Sequence, residues 1–296
     1  MPQFDRQTGA KPDFGNLAAG LNLFAVGLAK KVILADTFAP WATKGFDILP
    51  ELTFWQAWVA VLAYTLQIYF DFSGYCDMAL GIGRMFNITL PVNFNSPYRA
   101  CGIREFWLRW HMTLGRFLSH YVYIPLGGNR LGKPRTHINL LLTFLVSGIW
   151  HGAGWTFILW GALHGFASII QRLFNDLGWH LHRRVGRALT FAFVTVTWVF
   201  FRARCMADAG KVLRGMFVSS DFSWETINLI LPAEMSSSSA KNWLLVGLVI
   251  VFLGRNAVKY SHSFRPNWRN ALATAILLVV SILYMSRISP FIYYNF

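Results

Sequence analysis

Apolar residues in this chain collect into long runs, and the polar residues gather between them. After a polar lead-in over residues 1–15, the stretch from Asn16 to Ala35, NLAAGLNLFAVGLAKKVILA, is apolar apart from Asn16, Asn22, Lys30 and Lys31. It predicts a helix. Residues 36–53 contain Pro40, Gly45 and Pro50 and predict a loop. Thr53 to Phe70 is a second apolar run, and it continues directly into DFSGYCDMALGIGRMFNI, where Gly74, Gly81 and Gly83 would let another helix approach closely. PVNFNSPY, from Pro91 to Tyr98, predicts a loop. From Ile103 to Tyr121 bulky aromatics alternate with Arg104, Arg109 and Arg116, a mixture too charged to cross a bilayer unaided. Such a segment suits helices lying at a membrane interface or dipping partly into it.

YIPLGGNRLGKPR predicts a turn, and beyond it Thr136–Trp150 and Trp155–Phe174 predict a helical hairpin around HGAG. Leu189–Phe201 is a short apolar run, and Met206–Ala240 predicts a loop with one amphipathic piece, ADAGKVLRGMF. Trp243–Gly254 and Ala271–Met285 close the series. The pattern amounts to about seven membrane-embedded segments of unequal length.

Composition supports the same solvent. Of the 296 residues, 55% are hydrophobic and only 14% charged, with a mean hydropathy of +0.40. A soluble domain carries about 25% charged residues. The expected fold is all-α and polytopic, a single membrane domain over residues 1–296, with the lipid bilayer as its surroundings. The net charge of +14 would point to nucleic acid in a soluble chain. Here the basic residues sit between the apolar runs, in links 99–135, 172–187 and 254–269, as cytoplasmic loops require, and no nucleic-acid partner is expected. Alternation of spans then puts the C-terminus outside. Cys76, Cys101 and Cys205 have neither disulfide-framework nor metal-ligand spacing, and no metal site is expected. MPQFDRQTGAKPDFG lacks the short apolar core of a secretory signal.

Candidate chemistry centres on two tryptophan–histidine pairs in apolar, aromatic sequence, Trp110-His111 and Trp150-His151. Ionisable side chains in such segments are costly and mark function. Neither histidine belongs to a nucleophile elbow or to HExxH. A neutral imidazole in a water-restricted cavity can take the proton of a hydroxyl attacking a thioester. Alternatively His151 pins a broken helix by hydrogen bonding. By spacing alone the pin is the stronger reading. Asp71 and Asp77, six positions apart, point roughly 240° apart on a straight helix, which favours structural hydrogen bonding over a paired-carboxylate site. Lys30 and Lys31 read as an interfacial anchor, or more sharply as a contact for a phosphate-bearing acyl donor. A transporter or flippase would also use intramembrane Asp, His and Arg, but it would show half-chain repeats, and none is found.

QIYFDFSGYCDMALGIGRMFNITLPVNFNSPY, REFWLRWHMTLGRFL, YIPLGGNR, NLLLTFLVSGIWHGAGWTFILWGALHG and FFRA, in that order, closely resemble the alginate O-acetyltransferase branch of the membrane-bound O-acyltransferases. The resemblance runs from about Gly15 onward. It implies a ring of transmembrane and re-entrant helices around a funnel, in the inner membrane of a bacterium. It also implies O-acetylation of a secreted polysaccharide, alginate first and a polymer such as acetylated cellulose second. His151 matches the essential histidine of the WHG-type motif, and His111 the second characteristic histidine; Trp110, Arg109, Trp150 and Asp71 are the candidate substrate contacts. No tightly bound cofactor is implied. The co-substrate would be an acyl thioester, acetyl-CoA or carrier-bound acetyl, and periplasmic acetyl-transfer proteins would be partners. Family members run longer, with several helices ahead of the matched region, so the chain reads as the C-terminal part of the family domain, truncated at Met1. A non-catalytic scaffold is the alternative that such a truncation raises. Gly115 stands where the family has serine, and His120 where an acidic residue is expected.

Overall fold

A computed structural model describes Gln3 and residues 12–285. Residues 1–2 and 4–11 of the lead-in, with its start at Met1, therefore lie outside the described residues. The described chain is all-α, with short 3-10 and π-helical turns and no strand among the described residues. The helices are α1 (Phe14–Ala29), α2 (Asp36–Thr43), α3 (Phe54–Met85), α4 (Ile103–Trp107), α5 (Met112–Leu118) and α6 (Gly132–His151). They are followed by α7 (Trp155–Asp176), α8 (Arg183–Arg202), α9 (Met206–Phe217), α10 (Ser237–Leu253), α11 (Ala257–His262) and α12 (Trp268–Tyr284). Phe14–Ile48, α7 and α8 are long and apolar enough to cross a membrane, and α10 and α12 are shorter apolar helices. Large side chains on α12 face outward, among them Leu272, Ile276, Val279 and Leu283. Their spacing of three to four residues makes an exposed apolar stripe, which suits hydrocarbon rather than water.

The expected loop over residues 36–53 holds only at 49–53; residues 36–48 are helical. Helix continues from α1 through a π turn at Lys30–Ala35, then α2, then a second π turn at Lys44–Ile48. Pro40 lies inside α2 and withholds one backbone donor, a break signal in most contexts. Burial overrides it: Phe38, Trp41, Ala42 and Phe46 are fully enclosed, so uncoiling this stretch would return several large side chains to solvent. Elsewhere the expected helices are present, but α8 and α10 each begin six residues before the apolar runs at Leu189 and Trp243. The hairpin around HGAG is formed by α6 and α7, and the amphipathic piece within 206–240 is α9.

The described chain gathers into two compact units, one comprising residues 12–38, 66–95 and 253–285, the other 39–65 and 96–252. In the first unit α1 and α3 meet backbone to backbone. A Cβ on Gly27 would lie 2.6 Å from the Gly74 carbonyl oxygen, and one on Gly20 2.6 Å from that of Gly81. The close packing expected at Gly74 and Gly81 is thus present, with glycines of α1 as partners, whereas Gly83 meets Ile88 and Leu90 of the chain that follows α3 rather than another helix. Beside this contact lies a set of buried charges. Lys30 Nζ is 2.5 Å from Asp77 Oδ2, and Lys31 Nζ is 2.8 Å from Asp36 Oδ1 and 2.9 Å from Asp71 Oδ1. Asp71 and Asp77 do point apart, as the helical geometry requires, and each takes its own lysine. The lysines accordingly do not anchor at a surface: a carboxylate buried without a cation is too costly, and the ammonium groups are drawn to it. Farther along, Asn22 Nδ2 donates to Thr274 Oγ1 at 2.8 Å, joining α1 to α12.

The second unit holds the hairpin of α6 and α7, with α4 and α8 packed against α7. Arg202, the last residue of α8, reaches Asp47 through both terminal nitrogens, Nη1 to Oδ1 at 3.0 Å and Nη2 to Oδ2 at 2.5 Å. Its guanidinium lies over the rings of Phe46 and Tyr64, at 5.4 and 6.0 Å. The end of α8 is thereby held by a planar, two-point ion pair.

The glycine contact generates a testable pair. Gly27→Ala should force α1 and α3 apart and lower the thermal midpoint in detergent, at a cost of ~1–3 kcal/mol for overpacking. Gly210→Ala on α9, where a Cβ meets nothing within 4 Å, should instead stabilise, by about 0.5–1 kcal/mol of helix propensity. Equal midpoints for the two variants would show that the α1–α3 approach does not depend on the missing side chains.

Candidate active site

The hairpin is built on three glycines. A Cβ on Gly148 would overlap the Phe157 carbonyl, one on Gly161 would overlap the Phe144 carbonyl, and one on Gly165 would sit 2.9 Å from the Leu141 side chain. α6 and α7 therefore run in near backbone contact up to the break at Gly152–Gly154. Gly152 is extended, at φ 168°, a conformation open to any residue. It is glycine for space: a Cβ there would lie 2.5 Å from the Phe157 ring.

His151 is the last residue of α6. Its ring meets Trp150 at 4.7 Å, Phe201 at 5.0 Å and Trp160 at 5.4 Å, all edge-on. The residue is only 7% exposed. Neither ring nitrogen has a hydrogen-bond partner among the described residues. The pin reading of His151 thus finds no bond among the described residues. Trp150 beside it is exposed.

The chain reaches His111 through α4, a single turn and a half. Gln171 Oε1 accepts from the Arg104 backbone N–H at 2.9 Å, and Glu105 accepts from the Cys101 N–H at 2.6 Å, so both satisfy donors at the start of α4. Arg109 closes on Glu105, with Nη2 to Oε1 at 2.6 Å. Burial works against ionisation of Glu105, but the Cys101 N–H and Arg109 outweigh it and hold the carboxyl below its usual range. His111 itself adopts the left-handed conformation, φ 42° and ψ 54°, at the corner between α4 and α5. For a residue with a Cβ this costs ~1–2 kcal/mol. Burial pushes its imidazole down to about 4, so the ring is neutral at physiological pH. His111 is near enough to His151 for a charge on the first to disfavour a charge on the second.

His111 lines a cavity of about 780 Å³, together with Arg104, Trp107, Arg116, Ser147 and Arg172. Ser147 lies one helical turn before His151 on α6 and on the same side of the helix. Of the residues singled out in the sequence, His111 lines this cavity, and His151 ends the helix that reaches it through Ser147. Trp110 is buried in aromatic packing, 5.0 Å from Trp198 and stacked on Phe106 at 5.6 Å, and neither it nor Arg109 lines the cavity. Asp71 belongs to the other unit, where it pairs with Lys31.

The structure also brings in residues that sequence reasoning passed over. Trp160 touches both His151 and His164, and stacks on Trp198 at 6.1 Å. Phe201, against His151, is fixed by its neighbour Arg202. His164 is completely buried. The only hint of it in the sequence is the GALHG segment, where its histidine has no distinguishing spacing.

Residues 1–236 match the model of the membrane-bound O-acyltransferase family, MBOAT. Over 315 residues the chain is 42% identical to a peptidoglycan O-acetyltransferase of Helicobacter pylori, a match covering 100% of this chain and 60% of that protein. A probable alginate O-acetylase AlgI of Pseudomonas putida is 38% identical over 317 residues, covering 100% of this chain and 64% of the relative. A teichoic acid D-alanyltransferase of Streptococcus thermophilus is 33% identical over 115 residues, 36% of this chain and 28% of that protein. The chain thus spans 60% and 64% of the first two relatives. The family match over residues 1–236 and these identities agree with the apolar, all-helical chain: it belongs to the membrane-bound O-acyltransferase family.

Proposed function

We propose that this chain carries the transfer centre of an O-acetyltransferase that moves an acetyl group from a thioester to hydroxyls of a secreted polysaccharide. The observation that carries the reading is His151, a buried imidazole at a helix end whose two nitrogens have no hydrogen-bond partner among the described residues. Such a ring is available to a substrate. Relatives named for alginate and for peptidoglycan O-acetylation support a glycan acceptor, with alginate or a similar secreted polymer as the class. The setting is the inner membrane of a bacterium, crossed several times. Periplasmic acetyl-transfer proteins are natural partners if the acetyl group is handed onward before it reaches the polymer.

In the proposed step, neutral His151 accepts the hydroxyl proton as that oxygen attacks the thioester carbonyl and forms the new C–O bond. The tetrahedral intermediate collapses, the C–S bond breaks, and the departing thiolate takes the proton from the imidazolium. An ester and a free thiol result, and the histidine is regenerated. The cavity beside His111 is our candidate for the donor side. Arg104, Arg116 and Arg172 on its wall suit the anionic groups of a thioester carrier, whether acetyl-CoA or an acyl-carrier domain. His111, neutral and set at a fixed corner, orients the reacting groups there. Trp150, exposed beside His151, is the candidate contact on the acceptor side. Trp110 and Arg109 support the His111 corner through packing and the Glu105 ion pair, so any effect of theirs on substrate is indirect.

Loss of a positioned base costs ~10²–10⁴-fold in rate. His151→Gln keeps size and hydrogen-bonding capacity but cannot take a proton near neutrality, so acetyl transfer by membranes containing it should fall by that factor with membrane level unchanged. Near wild-type transfer by the Gln variant would leave the chain a scaffold or carrier with its base elsewhere. His111→Ala should lower turnover without abolishing it; unaltered kinetics in the folded variant would remove that ring from the centre.

A further inference from the structure

The most completely bonded side chain near the two candidate histidines is a third, His164 on α7. Trp107 Nε1 lies 3.2 Å from His164 Nδ1, and Thr197 Oγ1 lies 3.1 Å from His164 Nε2. An indole N–H can only donate, so Nδ1 must be the bare nitrogen. In a neutral ring the proton is then on Nε2, which donates to Thr197 Oγ1. The Thr197 hydroxyl in turn donates to the Val194 carbonyl at 2.9 Å. Every donor meets an acceptor, and the tautomer is fixed by its partners. The ring is fully buried.

This one ring ties α4 (Trp107), α7 and α8 (Thr197) together. The tie matters most for α4. At five residues α4 is too short to hold its own conformation, and α5, at seven residues, is little better. Between them His111 occupies a left-handed corner that its surroundings must enforce. Trp107, one turn before that corner, is a wall residue of the same cavity as His111. Trp160 touches the His164 ring at 5.0 Å, the Trp107 ring at 5.7 Å and the His151 ring at 5.4 Å.

We infer that His164 is a positioning residue: its bond from Trp107 holds the 103–118 segment, and so His111, against the hairpin that ends in His151. The inference rests on His111 belonging to the transfer centre, but its physical content, a local anchoring of 103–118, can be measured without any turnover.

The test uses two isosteres. Asparagine places its amide oxygen near the Nδ1 position and keeps an acceptor for Trp107. Glutamine places its amide nitrogen near Nε2 and keeps the contact with Thr197 while losing that acceptor. Amide hydrogen exchange on the detergent-solubilised chain should show 103–118 exchanging about tenfold faster in His164→Gln, with 132–151 and 155–176 unchanged. His164→Asn should stay close to wild type in the same segment. Trp107→Phe, which removes the donor, should loosen 103–118 alone, and His164→Gln added to it should do little more. Turnover should fall further in the Gln variant than in the Asn variant. Equal protection of 103–118 in both isosteres, or loosening spread evenly over the hairpin, would overturn the assignment. A catalytically silent His151→Gln with normal exchange would leave it standing, and a failed base assignment would leave the exchange result intact.

Discussion

The backbone contact between α6 and α7 is the constraint on which the rest of the second unit depends. Gly148, Gly161 and Gly165 remove the side chains that would otherwise separate the two helices, and only at that spacing do Trp160 and His164 sit against the residues they serve. One face of α7 then does two different jobs. At Trp160 it walls in a histidine with no bonded partner among the described residues, and at His164 it presents a histidine with both nitrogens bonded. Burial is common to the two rings, so burial does not separate their roles. What separates them is whether the surroundings have already used the nitrogens.

Charge in the two units follows the same logic. Carboxylates enclosed among apolar helices meet cations at hydrogen-bond distance: Asp71 and Asp36 with Lys31, Asp77 with Lys30, and Asp47 with Arg202. These pairs fix geometry more than they add stability, because desolvation offsets much of the attraction. The Asp47–Arg202 fork is the case nearest to chemistry, since it holds the helix end that carries Phe201 against His151.

Much of this architecture was legible in the sequence. The apolar runs, the hairpin broken at HGAG and the small-residue contacts at Gly74 and Gly81 follow from residue type and order; the candidacy of His111 and His151 came from the family resemblance, not from spacing. Three features followed from neither. Pro40, Gly45 and Pro50 have the composition of a loop, and only the enclosure of Phe38, Trp41 and Phe46 by distant chain keeps 36–48 helical. Lys30 and Lys31 look like surface anchors until Asp71 and Asp77 are folded against them. The partners of His164 lie 57 and 33 residues away, and no local pattern distinguishes its histidine from any other. In each case the deciding term is a contact between segments remote in sequence.

The left-handed corner at His111 has an evolutionary corollary. Asparagine tolerates that backbone conformation better than histidine does, and glycine occupies it without penalty. Asparagine is also a single base change from either histidine codon. Random mutation therefore has a short path to a protein with a more relaxed main chain and no imidazole at the corner. Selection for folding alone and selection for chemistry would pull this codon in opposite directions, and a screen for thermostable variants would erode the site at this position first.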